Sequence, residues 1–566
     1  MPTLEFKGKQ FVHSHHLSVP FRQLVVDKDK SLSDKPDLDD NLIIHGDNLH
    51  ALKALLPQYA GKVKCIYIDP PYNTGNEGWC YNDKVNSPLI KEWLKKSANP
   101  VDKDDLERHD KWLCMIWPRL KLLYELLSED GLLFVSISDI ELHHLYAILF
   151  DIFGEHSFST KFIWVNEGNI DNQSRIKQNH EYVIMFCKND DEFDFPPVID
   201  PNIGDDSKLF KGEISNTIVK NGIKNPVSDL VLPKGFPADF DEGEISPNVK
   251  WPKFDGSMKV SKGKLCHRAV VKSGWSSKAL CEDFIQNNFS PVLDKKGQKT
   301  RFVLTETGAV YVKKDRSDKQ SHVLTVLRGM GTVQEMSAQL EQVGIDFTYP
   351  KPVDLVKYLI SMMDDKDGFV LDSFAGSGTT AHAVLALNKE DGGNRKFILV
   401  ECEDYADEIT AERVRRVIKG VAEAEDEALR EGLGGSFTFC ELGDEINIES
   451  LLKGDNLPDY ESLARYVFYT ATGKTLESVA KASGDYYIGE TDLYRVHLIY
   501  QPSRDFMRSN ESALNADMVE RIAESNTSGK RCLVFASAKY MSQKELTGKK
   551  IDFCQLPYAI HRVLGD

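Results

Sequence analysis

The sequence predicts a doubly wound, mixed α/β domain, and three of its segments carry that prediction. Residues 63–68 form a short apolar run rich in β-branched side chains, the mark of a buried strand, and Asp69-Pro70-Pro71-Tyr72 stops it. Residues 368–372 form a second run that passes through a glycine turn, Phe374-Ala375-Gly376-Ser377-Gly378-Thr379-Thr380, into the apolar helix 379–387. A third strand, 396–400, ends at Glu401. Strands that alternate with helices in this way build a sheet with helices on both faces, and such sheets hold ligands outside the carboxyl ends of their strands.

In chain order, the remaining elements follow from the same patterns. An N-terminal arm, 1–40, shows no apolar targeting segment, and Leu42-Ile43-Ile44-His45-Gly46-Asp47-Asn48-Leu49 reads as a strand and turn. Asp47 is also a residue type that caps a helix. A polar insertion, 76–110, precedes an apolar helix that ends near Gly131; strands are expected at 132–137, 161–165 and 181–187, the last two as a hairpin. The loop-rich segment 192–347, with short strands such as 309–312, reads as an inserted domain between a first half, 41–191, and a second half, 348–431. Tyr349-Pro350-Lys351-Pro352 starts a helix over 353–360. Beyond a charged helix bearing Arg413, Arg415 and Arg416, a Gly-rich break opens a C-terminal domain, 432–566, with core strands at 494–500 and 531–536.

The two motifs explain each other chemically. The exocyclic amine of a nucleobase is a poor nucleophile because its lone pair is delocalised into the ring. A carboxylate at Asp69 and a carbonyl at Pro70, freed from regular structure by Pro70 and Pro71, can each accept one N–H and localise that lone pair. Such fixed acceptors need no reorganisation during reaction. Tyr72 offers an aromatic face to a base that must leave the duplex to be reached. At the glycine turn, backbone can approach a ligand closely, and the free N–H groups of the helix start favour an anion. Glu401 stands about twenty residues further on, the spacing at which an acid meets ribose hydroxyls in dinucleotide folds.

Together these motifs resemble the S-adenosylmethionine-dependent DNA amino-methyltransferases, and their order, catalytic before cofactor, resembles the permuted class called beta. The resemblance implies a Rossmann-like class I methyltransferase fold with an inserted target-recognition domain. It implies catalysis by Asp69, Pro70, Pro71 and Tyr72. It also implies S-adenosylmethionine held by Asp47 near the adenine, Glu401 at the ribose, Lys351 beside the methionine end, and Asp372, Phe374, Ala375, Gly376, Gly378, Thr379 and Thr380 around the turn. Asp at the first tetrapeptide position leans toward the N6 amine of adenine in double-stranded DNA. The N4 amine of cytosine and a recognition subunit without catalysis are the alternatives. Residues 41–72, His109-Asp110-Lys111-Trp112 and the C-terminal half resemble modification subunits of type III restriction-modification systems, over roughly 41–401 of the chain. That similarity implies a homodimer, base flipping, a restriction (helicase-nuclease) partner and a place in the cytoplasm of a bacterium or archaeon.

Composition agrees with such an enzyme. Of 566 residues, 41% are hydrophobic and 28% charged, and no run approaches eighteen uncharged apolar residues, so no membrane span is expected. The ten cysteines form no Cys-x-x-Cys pair and read as reduced thiols. His13, His15 and His16 lack partners at ligand spacing, so no metal is expected. Ala471-Thr472-Gly473-Lys474-Thr475 imitates a phosphate loop, but Phe468 stands where that motif needs glycine. Net charge is −17, yet residues 251–330 carry 16 Lys/Arg against 7 Asp/Glu. There Lys259, Lys262, Lys264 and Arg268, with Lys272 and Lys278, interleave with Trp251, Phe254 and Trp275. Lys313, Lys314, Arg316 and Lys319 form a second cluster. Such a stretch neutralises phosphates without reading sequence.

Overall fold

The computed structural model describes residues 4–74, 107–166, 175–204, 207, 210, 212–247, 250–295, 297–315, 321–446, 457–479 and 484–556. Packing divides the chain into one unit of residues 1–200 with 323–566 and a second of residues 201–322.

The first unit is built on a ten-stranded sheet. Its strands are β1 (Arg22–Leu32), β2 (Leu42–His45), β3 (Val63–Ile68), β4 (Leu127–Ile137), β5 (Phe158–Val165), β6 (His180–Cys187), β7 (Val326–Leu327), β8 (Phe369–Asp372), β9 (Lys396–Glu401) and β10 (Phe437–Glu445), in the spatial order β1-β10-β2-β9-β8-β3-β4-β6-β5-β7. The run from β10 to β4 is parallel, and the β5–β6 hairpin closes it antiparallel through β4. These central strands read as continuous apolar runs because helices cover both faces. On one face Ile66 and Ile68 pack with α1 (Asn48–Tyr59), α2 (Arg108–Leu126) and α3 (Leu142–Phe153); on the other, Cys65 and Tyr67 share a core with α4 (Val353–Ile360), α5 (Thr379–Asp391) and α6 (Glu412–Lys419).

Register places the two motifs side by side. β3 and β8 are neighbours, with Ile66 opposite Leu371, so the chain leaves both strands at the same edge of the sheet. Glu401 ends β9 next to β8, and His45 lies opposite Glu401 on β2. Thus Asp47, Asp69, Asp372 and Glu401 all follow or end parallel strands at one edge, where an open α/β sheet presents its site.

Three expected boundaries are corrected. β1 falls in the segment expected as an arm and β10 in the segment expected as a C-terminal domain, yet both are strands of the main sheet, because Phe437 and Phe439 of β10 belong to its core. The insert is 201–322, not 192–347: Leu327 of β7 and Val333 of the helix Val333–Gln342 pack into the main core. Of the expected insertion 76–110, residues 76–106 lie outside those described.

Beyond β10, residues 457–556 have a core of their own around a four-stranded sheet that includes Tyr494–Leu498 and Arg531–Ala536. The 201–322 unit consists of small antiparallel sheets around Leu230, Phe236, Phe254, Trp275 and Phe302. Among the described residues, no helix is long and apolar enough to cross a membrane. The nine described cysteines are free thiols.

Candidate active site

Beyond Ile68 the two prolines end β3, and Asp69 to Asn73 form a loop held from several sides. The indole Nε1 of Trp112 on α2 donates to the Pro71 carbonyl at 2.7 Å. The fully buried Asn73 adopts a left-handed backbone, φ 61°, and its amide donates to Glu141 Oε1 at 2.5 Å. His109 Nδ1 lies 2.5 Å from the same oxygen, and His144 Nδ1 lies 2.8 Å from Glu141 Oε2. Among the described residues, this His109, Glu141 and His144 group is the one whose composition suits a metal. In this structure both imidazoles hold the Glu141 carboxylate that the Asn73 amide also reaches, a hydrogen-bonded clamp on the loop. His15 and His16 are buried, and burial pushes His16 down to about 3.

In the loop's centre, Lys351 Nζ lies 3.0 Å from Asp69 Oδ2 and 3.3 Å from Glu181 Oε2. The Tyr72 hydroxyl donates to that Glu181 oxygen at 2.8 Å, and the ammonium sits 4.8 Å from the Tyr72 ring centre. Burial pushes the Asp69 carboxyl above its ordinary value; Lys351 opposes this and Glu181 adds to it. For Lys351, burial disfavours the charge, but the two carboxylates outweigh it and hold the ammonium protonated. Asp69 Oδ1 is buried and has no hydrogen-bond partner, so one acceptor of this carboxylate remains for a ligand N–H.

The glycine turn adjoins this centre. Asp372 Oδ1 accepts the Phe374 N–H at 3.0 Å and Oδ2 the Thr380 hydroxyl at 2.5 Å; burial pushes its carboxyl up to about 7, with Asp69 and Glu401 both contributing. Glu401 accepts from the backbone N–H of Gly376 at 2.7 Å, of Cys402 at 2.9 Å and of Glu403 at 3.0 Å. Asp47 caps α1 by accepting the His50 N–H at 3.2 Å, and Arg119 Nη2 lies 3.5 Å from its other oxygen. Against the cost of burial, His50 and Arg119 hold Asp47 well below the usual carboxylate range. Asn48, gripped by Arg119, donates to the Ser373 carbonyl at 3.1 Å and so ties the first half to the turn.

A family model described as DNA methylase matches residues 63–412, which spans both strand ends and the insert between them. The chain belongs to the DNA methylase family. It is 30% identical over 495 residues to the type III restriction-modification enzyme EcoPI Mod subunit of Escherichia phage P1, covering 80% of this chain and 73% of that one. The EcoP15I Mod subunit of Escherichia coli is 30% identical over 430 residues, covering 71% and 64%. A solved structure, PvuII DNA methyltransferase (cytosine-N4-specific), aligns over 66% of this chain and 86% of its own at 13% identity, with a TM-score of 0.31.

This DNA methylase uses S-adenosylmethionine as its methyl donor, and the residues around the turn fit that group. Gly376 and Gly378 have φ 51° and 82°; a Cβ at the first would stand 3.2 Å from the Phe347 ring and at the second 3.2 Å from the Thr410 carbonyl. Only glycine keeps this turn open. The start of α5 offers N–H groups to a carboxylate. Beneath it Arg413 is fully buried, donating to Ser377 Oγ at 2.7 Å and Thr379 Oγ1 at 2.9 Å, and burial pushes it down to about 9. Arg415 pairs with Asp407 and Glu412, and Arg416 with Glu412, so this helix is not a free basic face.

Of the methylase's expected DNA-contacting residues, Lys259, Lys262, Lys264 and Arg268 are exposed on or beside the hairpin formed by Met258–Ser261 and Lys264–Leu265. Lys313 instead pairs with Glu213 at 3.2 Å, and Lys314 with Asp294. Arg316 and Lys319 lie outside the described residues. Phe254 and Trp275 are core, which leaves Trp251 as the accessible aromatic of that stretch. Glu181, Glu141, Asn73 and Arg413 are site residues that sequence reasoning misses. Each is set by tertiary placement rather than by a motif, although Asn73 directly follows Tyr72.

Proposed function

We propose that this methylase transfers the methyl group of S-adenosylmethionine to the N6 amine of adenine in double-stranded DNA, acting on a flipped base as the homodimeric modification subunit of a type III-like system. The observation that carries this reading is the buried, unpartnered Asp69 Oδ1, in the loop that continues through Pro70 to Tyr72. Asp at this position favours adenine over the cytosine amine, and the similarity to type III Mod subunits supports the subunit role. When bound, the cofactor supplies an electrophilic methyl group on a sulfonium.

The protein's part is binding and orientation. Asp69 Oδ1 and the Pro70 carbonyl accept the two N–H groups of the amine and localise its lone pair, and Tyr72, its hydroxyl fixed by Glu181, stacks on the base. As the nitrogen takes the methyl group from the sulfonium, which would leave as a neutral thioether, the ionised carboxylate stabilises the positive charge that develops, and one of the amine protons then departs by way of Asp69 to water. The exposed basic hairpin of the insert supplies phosphate contacts. A restriction subunit and cytoplasmic location complete the reading.

Modified-base sequencing of DNA from cells expressing the chain tests it. N6-methyladenine at one sequence motif, lost with Asp69→Ala while purified Asp69→Ala still binds S-adenosylmethionine, is the expected result. N4-methylcytosine would overturn the base assignment. No modified base from the parent would leave a recognition subunit without catalysis.

A further inference from the structure

We propose that Tyr349 is a second aromatic platform for the target base, in the cleft that Tyr72 and Glu181 also line; the inference rests on the methyl-transfer reading above. The cleft has a volume of about 390 Å³ and is bordered by Tyr72, Glu181, Asn166 and Tyr349, a size at which pockets receive small organic groups.

Three observations single out Tyr349. Its side chain is large and apolar, yet the residue is 69% exposed. Its backbone is left-handed, φ 63°, which is a genuine outlier for a bulky residue, and it precedes Pro350, which pushes its neighbour toward extended conformations. Strain of this kind persists where a ligand clamp needs it. The segment is also pinned: two residues later, Lys351 reaches Asp69 with its ammonium, while its carbonyl accepts the Thr379 hydroxyl at 3.2 Å. Tyr349 is therefore displayed from a support fixed at both the catalytic carboxylate and the cofactor turn.

A further observation calls for a ligand. Asn166, 8% exposed, borders the same cleft, and its Oδ1 is buried without a hydrogen-bond partner. A planar base between aromatic side chains, with its edge toward this amide, suits both the apolar and the polar part of the lining. Any base has a π-face, so Tyr349 contributes affinity for the extruded state, and Asp69 with Pro70 selects the amine.

The test compares Tyr349→Ala, Tyr349→Phe and Tyr349→Gly in single-turnover methyl transfer to plasmid DNA, with S-adenosylmethionine affinity and thermal unfolding measured on each. Tyr349→Ala is expected to slow transfer roughly five- to a hundredfold, the contribution of one stacked base, with cofactor affinity held. Tyr349→Phe keeps the ring and should restore the rate. Tyr349→Gly accommodates the left-handed backbone, so it should unfold no earlier than the parent while transferring as slowly as Tyr349→Ala. Parental rates in the alanine and glycine variants would overturn the proposal, as would a rate loss matched by an equal loss of cofactor affinity. A parent that transfers no methyl group would overturn the methyl-transfer reading itself.

Discussion

Lys351 Nζ lies 3.0 Å from Asp69 Oδ2. The residue expected at the methionine end of the cofactor thus reaches across to the carboxylate proposed to hold the target amine. Two carboxylates, Asp69 and Glu181, share one buried ammonium, so the ionisation of Asp69 is set by both neighbours.

Replacing Lys351 by Met removes the one cation among these three groups. Asp69 must be ionised to accept an amine N–H strongly, and its pKa is already raised by burial. Without the ammonium it rises further, because an adjacent opposite charge that favoured the ionised form is lost. The acid limb of the single-turnover rate should move to higher pH. Glu181→Gln removes a like charge and should move the same limb to lower pH.

Glu401→Ala is expected to weaken S-adenosylmethionine binding by about 1.5–3 kcal/mol, the range for a hydrogen bond to a charged group, or roughly ten- to hundredfold. Because the carboxylate also accepts the Gly376, Cys402 and Glu403 N–H groups, thermal unfolding should occur earlier as well. Calorimetric titration alongside a melting curve reads both. Unchanged affinity in a folded variant would remove Glu401 from the cofactor site.

The clamp on Asn73 separates positioning from cofactor binding. Asn73→Gly keeps the left-handed backbone accessible but deletes the amide bonded to Glu141. Methyl transfer should slow about tenfold with cofactor affinity held, since reacting groups misplaced by even an ångström lose rate steeply. Glu141→Ala strips partners from Asn73, His109 and His144 together and should also lower stability, by about 1–3 kcal/mol for the buried group left unpaired. Denaturant unfolding of both variants checks the contrast.

Salt dependence locates the phosphate-binding surface. Neutralising the exposed Lys259, Lys262, Lys264 and Arg268 should flatten the logarithmic slope of DNA affinity against salt, by about 0.9 for each phosphate that no longer meets a cation. Neutralising Lys313 and Lys314, already paired with Glu213 and Asp294, should change it much less. Equal slopes for the parent and the first variant would place the phosphate-binding cations elsewhere.

The strand ends are legible because strand, turn and helix signals are local. Residues 63–68 and 396–401 read as strands, and they are strands. The same holds for the β5–β6 hairpin, since alternating apolar patterns need no knowledge of partners. Asp47 reads both as a cofactor acid and as a cap, and the cap is formed. Less legible is what long-range pairing decides. β10 belongs to the main sheet because β2 and β1 flank it, which no pattern in residues 437–445 announces. Arg413 reads as one of three arginines on a charged helix, but α6 turns it under the glycine turn, where hydroxyls replace water. Glu181 lies inside an expected strand; only the fold brings it to Tyr72 and Lys351.

The adjacency of β3 and β8 has a price during synthesis. At about 5–20 residues per second, the roughly 300 residues between these strands take about 15–60 s to emerge. Throughout that interval β3 can pair with β4 but shows a bare edge of amides and carbonyls on its other side, a template for other chains. The insert, with a core of its own, can fold on the ribosome while the catalytic half waits. Nascent chains halted before β8 should therefore depend on chaperones far more than chains released after β10, and the catalytic centre comes into being only when the last central strands dock.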